Sequence, residues 1–355
     1  MHPDSQLLCD IASIDSIWGK ERELAQWLHT QLQGWGCQDV TLVPSKPDRP
    51  SVGARVRGIG GGRSLVLNGH IDIYELSKDW TRDPFHGALE DGKIYGAGVA
   101  DMKAGTAAAV AAIRRIATGS DGLRGDVILQ AVSCHFEGGV GTRSLCEAGF
   151  IGDGVVDCEP SSNTIGIAHR GAAYLKVTTK GKQAHTTYKE LGLNAIETME
   201  PILAGLRRLE HTLPYEPHPL LPGGPILNIG TISGGTKHNQ VPDRCVVTLD
   251  LRLLPSQDPY DVKRQVEDMI ADLRATVEPR IDAVVEFSEY WLSGPRHAYE
   301  IAPTEPIVVA LDQSVRSVTG QPADYRGVPF WCDLVALRDF GVPGVNFGPG
   351  DPPYN

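Results

Sequence analysis

Three short segments place ligand-type side chains where strand-like runs end, which is where open α/β sheets build their sites. The first is Ser64-Leu-Val-Leu-Asn-Gly-His70-Ile-Asp72, an apolar run closed by a histidine and an aspartate two residues apart. In extended chain, residues i and i+2 share a side, so Asp72 is expected to orient His70, as metal-bound imidazoles require of their second nitrogen. The second, from Asp91 to Gly105, is a glycine-lined loop that delivers Asp101 at the mouth of a helical run. The third, Asp157-Cys-Glu159-Pro160, sets Glu159 just past another strand-like run. Each has a plain structural alternative: a packed histidine, a helix N-cap aspartate, a solvated surface glutamate. Together, His70, Asp101 and Glu159 are hard or borderline donors of the kind that hold zinc, with cobalt or manganese as alternatives.

The elements that must carry these residues alternate. Strand-type stretches at 64–67, 126–133 and 154–158 interleave with helical ones at 104–117 and 142–148, the mark of a largely parallel sheet with helices on its faces. Upstream, Leu7, Leu8 and Ile11, then Leu24, Trp27, Leu28 and Leu32, keep helical spacing and predict two helices broken near 13–19. Near 172 the texture changes to strands at 173–179, 227–232, 245–253 and 283–290, with helices at 194–209 and 260–276. Helices at 306–319 and near 334–340 and a strand at 344–347 then restore the first pattern. The expected fold is α/β: a mainly parallel catalytic domain of residues 1–172 and 295–355, interrupted by a smaller α+β dimerisation (lid) domain of residues 173–294.

Bulk properties exclude several functions. A formal net charge of −11 over 355 residues leaves no basic surplus to neutralise nucleic acid or an anionic membrane. No run approaches the roughly 18–20 apolar residues of a membrane helix, and the start, MHPDSQLLCDIASIDS, shows no signal peptide. The seven cysteines are scattered singly, with no CxxC pair, which predicts reduced thiols and a cytoplasmic location.

In order, the three metal-type segments resemble the zinc aminoacylase and carboxypeptidase family of acetylornithine deacetylase, succinyl-diaminopimelate desuccinylase, aminoacylase and glutamate carboxypeptidase. The resemblance runs over nearly the whole chain: Trp80…Asp83-Pro84-Phe85, Gly181-Lys-Gln-Ala-His185, Gly192-Leu-Asn194-Ala, Gly234-Gly235…Asn239-Gln-Val-Pro242-Asp243, Asp250-Leu-Arg252 and Asn346-Phe-Gly348-Pro-Gly350. It implies a homodimeric hydrolase in which Asp101 bridges two zinc ions and His70 and Glu159 complete one of them. A glutamate of a DEExGGxG block, with a histidine after the GPG turn, would complete the second. By the same resemblance His185 stabilises the oxyanion, commonly from the neighbouring subunit. Asn239, Arg252, Gly348 and Gly350 hold the α-carboxylate of a small-molecule substrate, a task suited to a guanidinium fork.

The sequence departs from that pattern at one block. Cys134-His135-Phe136-Glu137-Gly138-Gly139 aligns without a gap, so His135 takes the general-base position and Phe136, which cannot bind zinc, takes the second metal's ligand position. Glu137 falls one residue late, and only a local bulge would return it to the site. The last residues, Gly350-Asp-Pro-Pro-Tyr-Asn355, carry no histidine for the second metal either, through a real loss or because a tail that holds one lies beyond this sequence. The expectation is an amidohydrolase of an N-acyl amino acid or small peptide, with one zinc at His70, Asp101 and Glu159, Asp72 behind His70, and His135 as base, replacement ligand or packed side chain. The alternative is a non-hydrolytic descendant with a different chemistry or a binding role.

Overall fold

In the computed structural model, which describes residues 2–119, 122–289 and 294–350, the strand Leu65–His70 lies inside a nine-stranded sheet. Val127–Val132 and Gly154–Asp157 flank it in parallel, and Gly344–Asn346 runs parallel to Gly154–Asp157. Val127–Val132, Gly154–Asp157 and Gly344–Asn346 are buried at every position, as strands covered on both faces are. Their sequences therefore read as unbroken apolar runs. Three further pairs in the sheet are antiparallel. Arg49–Val56 pairs with Val127–Val132 and returns from Gln38–Lys46, while Ile165–His169 meets Gly344–Asn346. The strands Gln38–Lys46 and Arg49–Val56 were not read from the sequence; proline and serine interrupt the first and leave no clean alternation.

The helices Ala104–Thr118, Val140–Glu147, Pro306–Thr319 and Leu334–Arg338 supply the covering layers. The helix Ala104–Thr118 approaches the third ligand segment closely: a Cβ on Gly105 would lie 1.9 Å from the Cys158 carbonyl oxygen. Glycine is required there for the helix and the segment carrying Glu159 to pack. The chain divides into two compact units. The first comprises residues 1–168, 300–328 and 332–355, and the second 169–299 with 329–331.

Among the described residues, the strands of the second unit pair antiparallel. Gly171–Lys180 lies between Arg244–Leu253 and Asp282–Phe287, and Ile226–Gly234 pairs with the outer edge of Arg244–Leu253. The strand Arg244–Leu253 alternates, burying Cys245, Val247, Leu249, Leu251 and Leu253 with Met199, Ile202 and Leu206 of the helix Ala195–Thr212 and Val262, Val266 and Ile270 of Pro259–Thr276. Each fully buried aliphatic contributes about 1.5–3 kcal/mol. Asn194 and Asp258 cap the two helices by accepting backbone N–H groups. The strand expected at 283–290 ends at Phe287, and Tyr290 lies outside the described residues, as do the last five, 351–355. No described helix is long and apolar enough to cross a membrane, and none of the seven cysteines is in a disulfide.

Candidate metal centre

His70 is the last residue of its strand and is buried. Its Nδ1 donates to the Asp72 backbone carbonyl at 2.8 Å. The carbonyl only accepts, so the proton sits on Nδ1 and Nε2 is turned toward Asp101 Oδ1 at 3.2 Å and Glu159 Oε1 at 3.9 Å. The orienting role expected of the Asp72 carboxylate thus belongs to its carbonyl. The strand alternation ends at His70, and the Asp72 carboxyl oxygen Oδ1 is left 3.9 Å from the ring. Both ring nitrogens of His70 face oxygen acceptors, so the imidazole either carries two protons or gives Nε2 to a cation. Burial lowers its pKa, but the Asp101 hydrogen bond and the charges of Glu159, Asp101 and Asp72 overcome this and raise it to about 10.

Too much negative charge is buried here for the two imidazoles to balance. Burial, and then the charges of Asp101, Asp157 and Asp333, hold the Glu159 carboxyl well above its usual range against the attraction of His70. Burial and the Asp333 charge do the same to Asp157. Asp72 rises to about 7, mainly through burial. For Asp101 burial also pushes upward, but the hydrogen bond to His70 and the charges of His70 and His135 prevail and lower it. Glu159 Oε2 and Asp72 Oδ1 are buried with no hydrogen-bond partner among the described residues. An orphaned carboxylate oxygen amid excess negative charge fits a divalent cation. His70, Asp101 and Glu159 would hold it, and their nitrogen and oxygen donors suit zinc, cobalt or manganese.

His135 enters the same cluster. Its ring stacks on His70 with centroids 4.4 Å apart, and Nε2 lies 3.9 Å from Glu159 Oε1. Its Nδ1 is 3.0 Å from Asp333 Oδ1, while Thr142 Oγ1 donates to Asp333 Oδ2 at 2.5 Å. Asp333 was missed in the sequence. It precedes the helix Leu334–Arg338 and reads as an ordinary N-cap, yet its side chain caps nothing and is committed to His135 and Thr142. Phe136 is buried against Tyr74, His135 and His70, at 4.2, 5.3 and 5.6 Å between ring centroids. An aromatic cluster therefore occupies the neighbourhood where the resemblance puts a second metal's ligand.

Glu137 is held elsewhere. The chain turns tightly after His135, whose carbonyl accepts from the N–H of both Gly138 and Gly139. This turn sends the Glu137 carboxylate to Arg49, to Trp18 Nε1 at 2.7 Å and to Lys46 Nζ at 3.6 Å. The bulge that would have brought it to the metal ligands is absent, and Glu137 belongs to a buried ion pair with Arg49, which also binds Glu21.

Gly348 and Gly350 pack beside the third ligand: Ser161 N donates to the Gly348 carbonyl at 3.1 Å and Ser162 N to that of Gly350 at 2.8 Å. A cavity of about 440 Å³, lined by Ile73, Tyr74, Leu76, Trp80 and Val99, reaches Asp101. In the second unit, His185 is exposed, its backbone bridged to Gln240, and the next residue's N–H donates to the Asn239 carbonyl at 3.1 Å. Arg252 donates to Asp250 Oδ2 at 2.8 Å with its guanidinium 5.7 Å from the centre of the Tyr174 ring.

Comparison with known proteins meets this geometry. Residues 167–277 match the model of a peptidase dimerisation domain. The chain is 28% identical over 338 residues to an N-formyl-4-amino-5-aminomethyl-2-methylpyrimidine deformylase of Bacillus subtilis, covering 86% of this chain and 76% of that one. It is 28% identical over 331 residues to an acetylornithine deacetylase of Proteus mirabilis, covering 92% and 80%. The matched domain, these relatives and the solved neighbours are those of the aminoacylase and carboxypeptidase family that the motifs resemble. Among solved structures, the family metallo-carboxypeptidase of Sulfolobus solfataricus superposes with a TM-score of 0.75 at 18% identity, covering 98% of this chain and 91% of that one. These relatives are named as hydrolases, and hydrolysis of a C–N bond is consistent with the likeness.

Proposed function

We propose that this chain is a metal-dependent amidohydrolase that releases an acyl group from, or cleaves, a small carboxylate-bearing N-acyl amino compound, using one divalent metal per chain. The observation that carries the reading is the set of buried His70 and Glu159 with part-exposed Asp101, its orphaned oxygen and its excess of carboxylates. The bound metal would lower the pKa of a water toward about 7 and polarise the amide carbonyl. The second metal position is lost, because Phe136 offers no donor and packs with Tyr74 against His70. The apolar lining of the cavity at Asp101 favours an apolar group on one side of the scissile bond. The homodimer forms through the second unit, and Asn239, Arg252, the Gly348–Gly350 turn and the partner subunit's His185 keep the substrate-binding and oxyanion roles that the resemblance implies for them. The unpaired cysteines support a reducing, cytoplasmic location.

The test is hydrolysis of a panel of N-acyl amino acids by protein purified without chelator. Turnover that is lost with a chelator and regained with zinc supports the proposal. A protein that holds one metal yet hydrolyses no member of the panel favours the non-hydrolytic alternative.

A further inference from the structure

We infer that His135 is a ligand of the metal, positioned by Asp333, so that this chain replaces a lost carboxylate function with an imidazole drawn into the surviving site. The inference rests on the metal centre proposed above. The ligand atoms of His70, His135 and Glu159 all lie within 4.8 Å of one another, with 3.9 Å from each histidine Nε2 to Glu159 Oε1. A point equidistant from three atoms so spaced is at most about 2.5 Å from each, within a few tenths of an ångström of the roughly 2.0–2.2 Å of zinc contacts to nitrogen and oxygen. A base acting through a metal-bound water would stand farther off. Asp101, 3.2 Å from His70 Nε2, supplies a fourth donor.

Asp333 fits the part of the carboxylate behind a metal-bound histidine. At 3.0 Å from Nδ1 it holds the proton on that nitrogen, so the Nε2 lone pair points to the cluster. Its own second oxygen is occupied by Thr142 and it is buried, which fixes the ring plane against His70. Asp333 is thus a positioning residue.

The experiment measures metal binding without substrate, so a failure to find hydrolysis leaves it intact. Metal-free full-length protein is titrated with zinc against a chromophoric chelator, and the visible absorption of its cobalt form is recorded, for the parent, His135→Gln and Asp333→Asn. His135→Gln is expected to weaken zinc roughly 100-fold or more and to change the cobalt bands. Asp333→Asn is expected to weaken zinc by the roughly 10–100-fold typical of an outer partner and to shift the bands less. Circular dichroism of the metal-free forms controls for folding, and if His135→Gln fails to fold, the cobalt spectrum of Asp333→Asn decides. Unchanged affinity and unchanged bands in either folded variant would overturn the inference; if turnover alone fell, His135 would be a general base.

Discussion

The ion pair that withholds Glu137 from the site can be broken deliberately. Arg49 lies between Glu21 and Glu137, with its Nε 2.9 Å from Glu21 Oε2 and its guanidinium 5.2 Å from the Trp18 ring centre. The three charged side chains are 9%, 0% and 5% exposed for Arg49, Glu21 and Glu137. Arg49→Met keeps most of the volume, leaves Glu21 buried without its cation and leaves Glu137 with Lys46 at 3.6 Å. Breaking one such pair from one side costs about 3–5 kcal/mol, and the lost stacking on Trp18 adds about 0.5–1 kcal/mol. Glu137→Gln leaves Arg49 paired with Glu21 and should lose less, about 1.5–3 kcal/mol. The readout is urea unfolding followed by tryptophan fluorescence, completed as a double-mutant cycle. The double variant should be less destabilised than the sum of the singles by about 0.5–3 kcal/mol. Glu137→Gln should bind zinc as the parent does. Additive effects, or a loss below about 1 kcal/mol for Arg49→Met, would mean that Arg49 does not hold Glu137, and the carboxylate would return as a candidate ligand.

Arg252→Lys should weaken carboxylate-bearing ligands in calorimetry, because the charge stays but the planar fork is lost; equal affinity would remove Arg252 from the site. Light scattering at micromolar concentration should give a dimer, and a monomer would leave His185 without its role across subunits. Lys103 is fully buried, and its ammonium donates to the Ile14 carbonyl at 2.9 Å. Burial lowers its pKa from 10.5 to about 7 against the pull of Asp15. Between those values the unfolded chain binds more protons, so this residue's contribution is full above pH 10.5 and is lost as pH falls toward 7. Lys103→Met should flatten the rise of stability with pH across that window, and an unchanged slope would count against a neutral buried amine.

The strands that carry His70 and Glu159 were legible because both faces of a parallel sheet are covered, and such strands appear as apolar runs closed by polar residues. The helix Pro306–Thr319 was equally plain from its proline at the start and glycine after its end. What escaped were partnerships made at long range. Asp333 reaches His135 across 198 positions, and a helix-capping pattern hid it. The carbonyl that orients His70 leaves no trace in residue identity, since any side chain at position 72 would present one. Glu137 read as a displaced ligand because its spacing was judged as extended chain, whereas a turn at His135 decides its direction.

The number of metal ions per chain bears most directly on the account. On the proposed reading, Phe136 removes a donor from the second position, and one ion is held by His70, Asp101 and Glu159 with His135 beside them. Elemental analysis of protein purified without chelator should give one ion per chain, zinc, cobalt or manganese, and His70→Ala should abolish it. Two ions per chain, or none, would contradict the account.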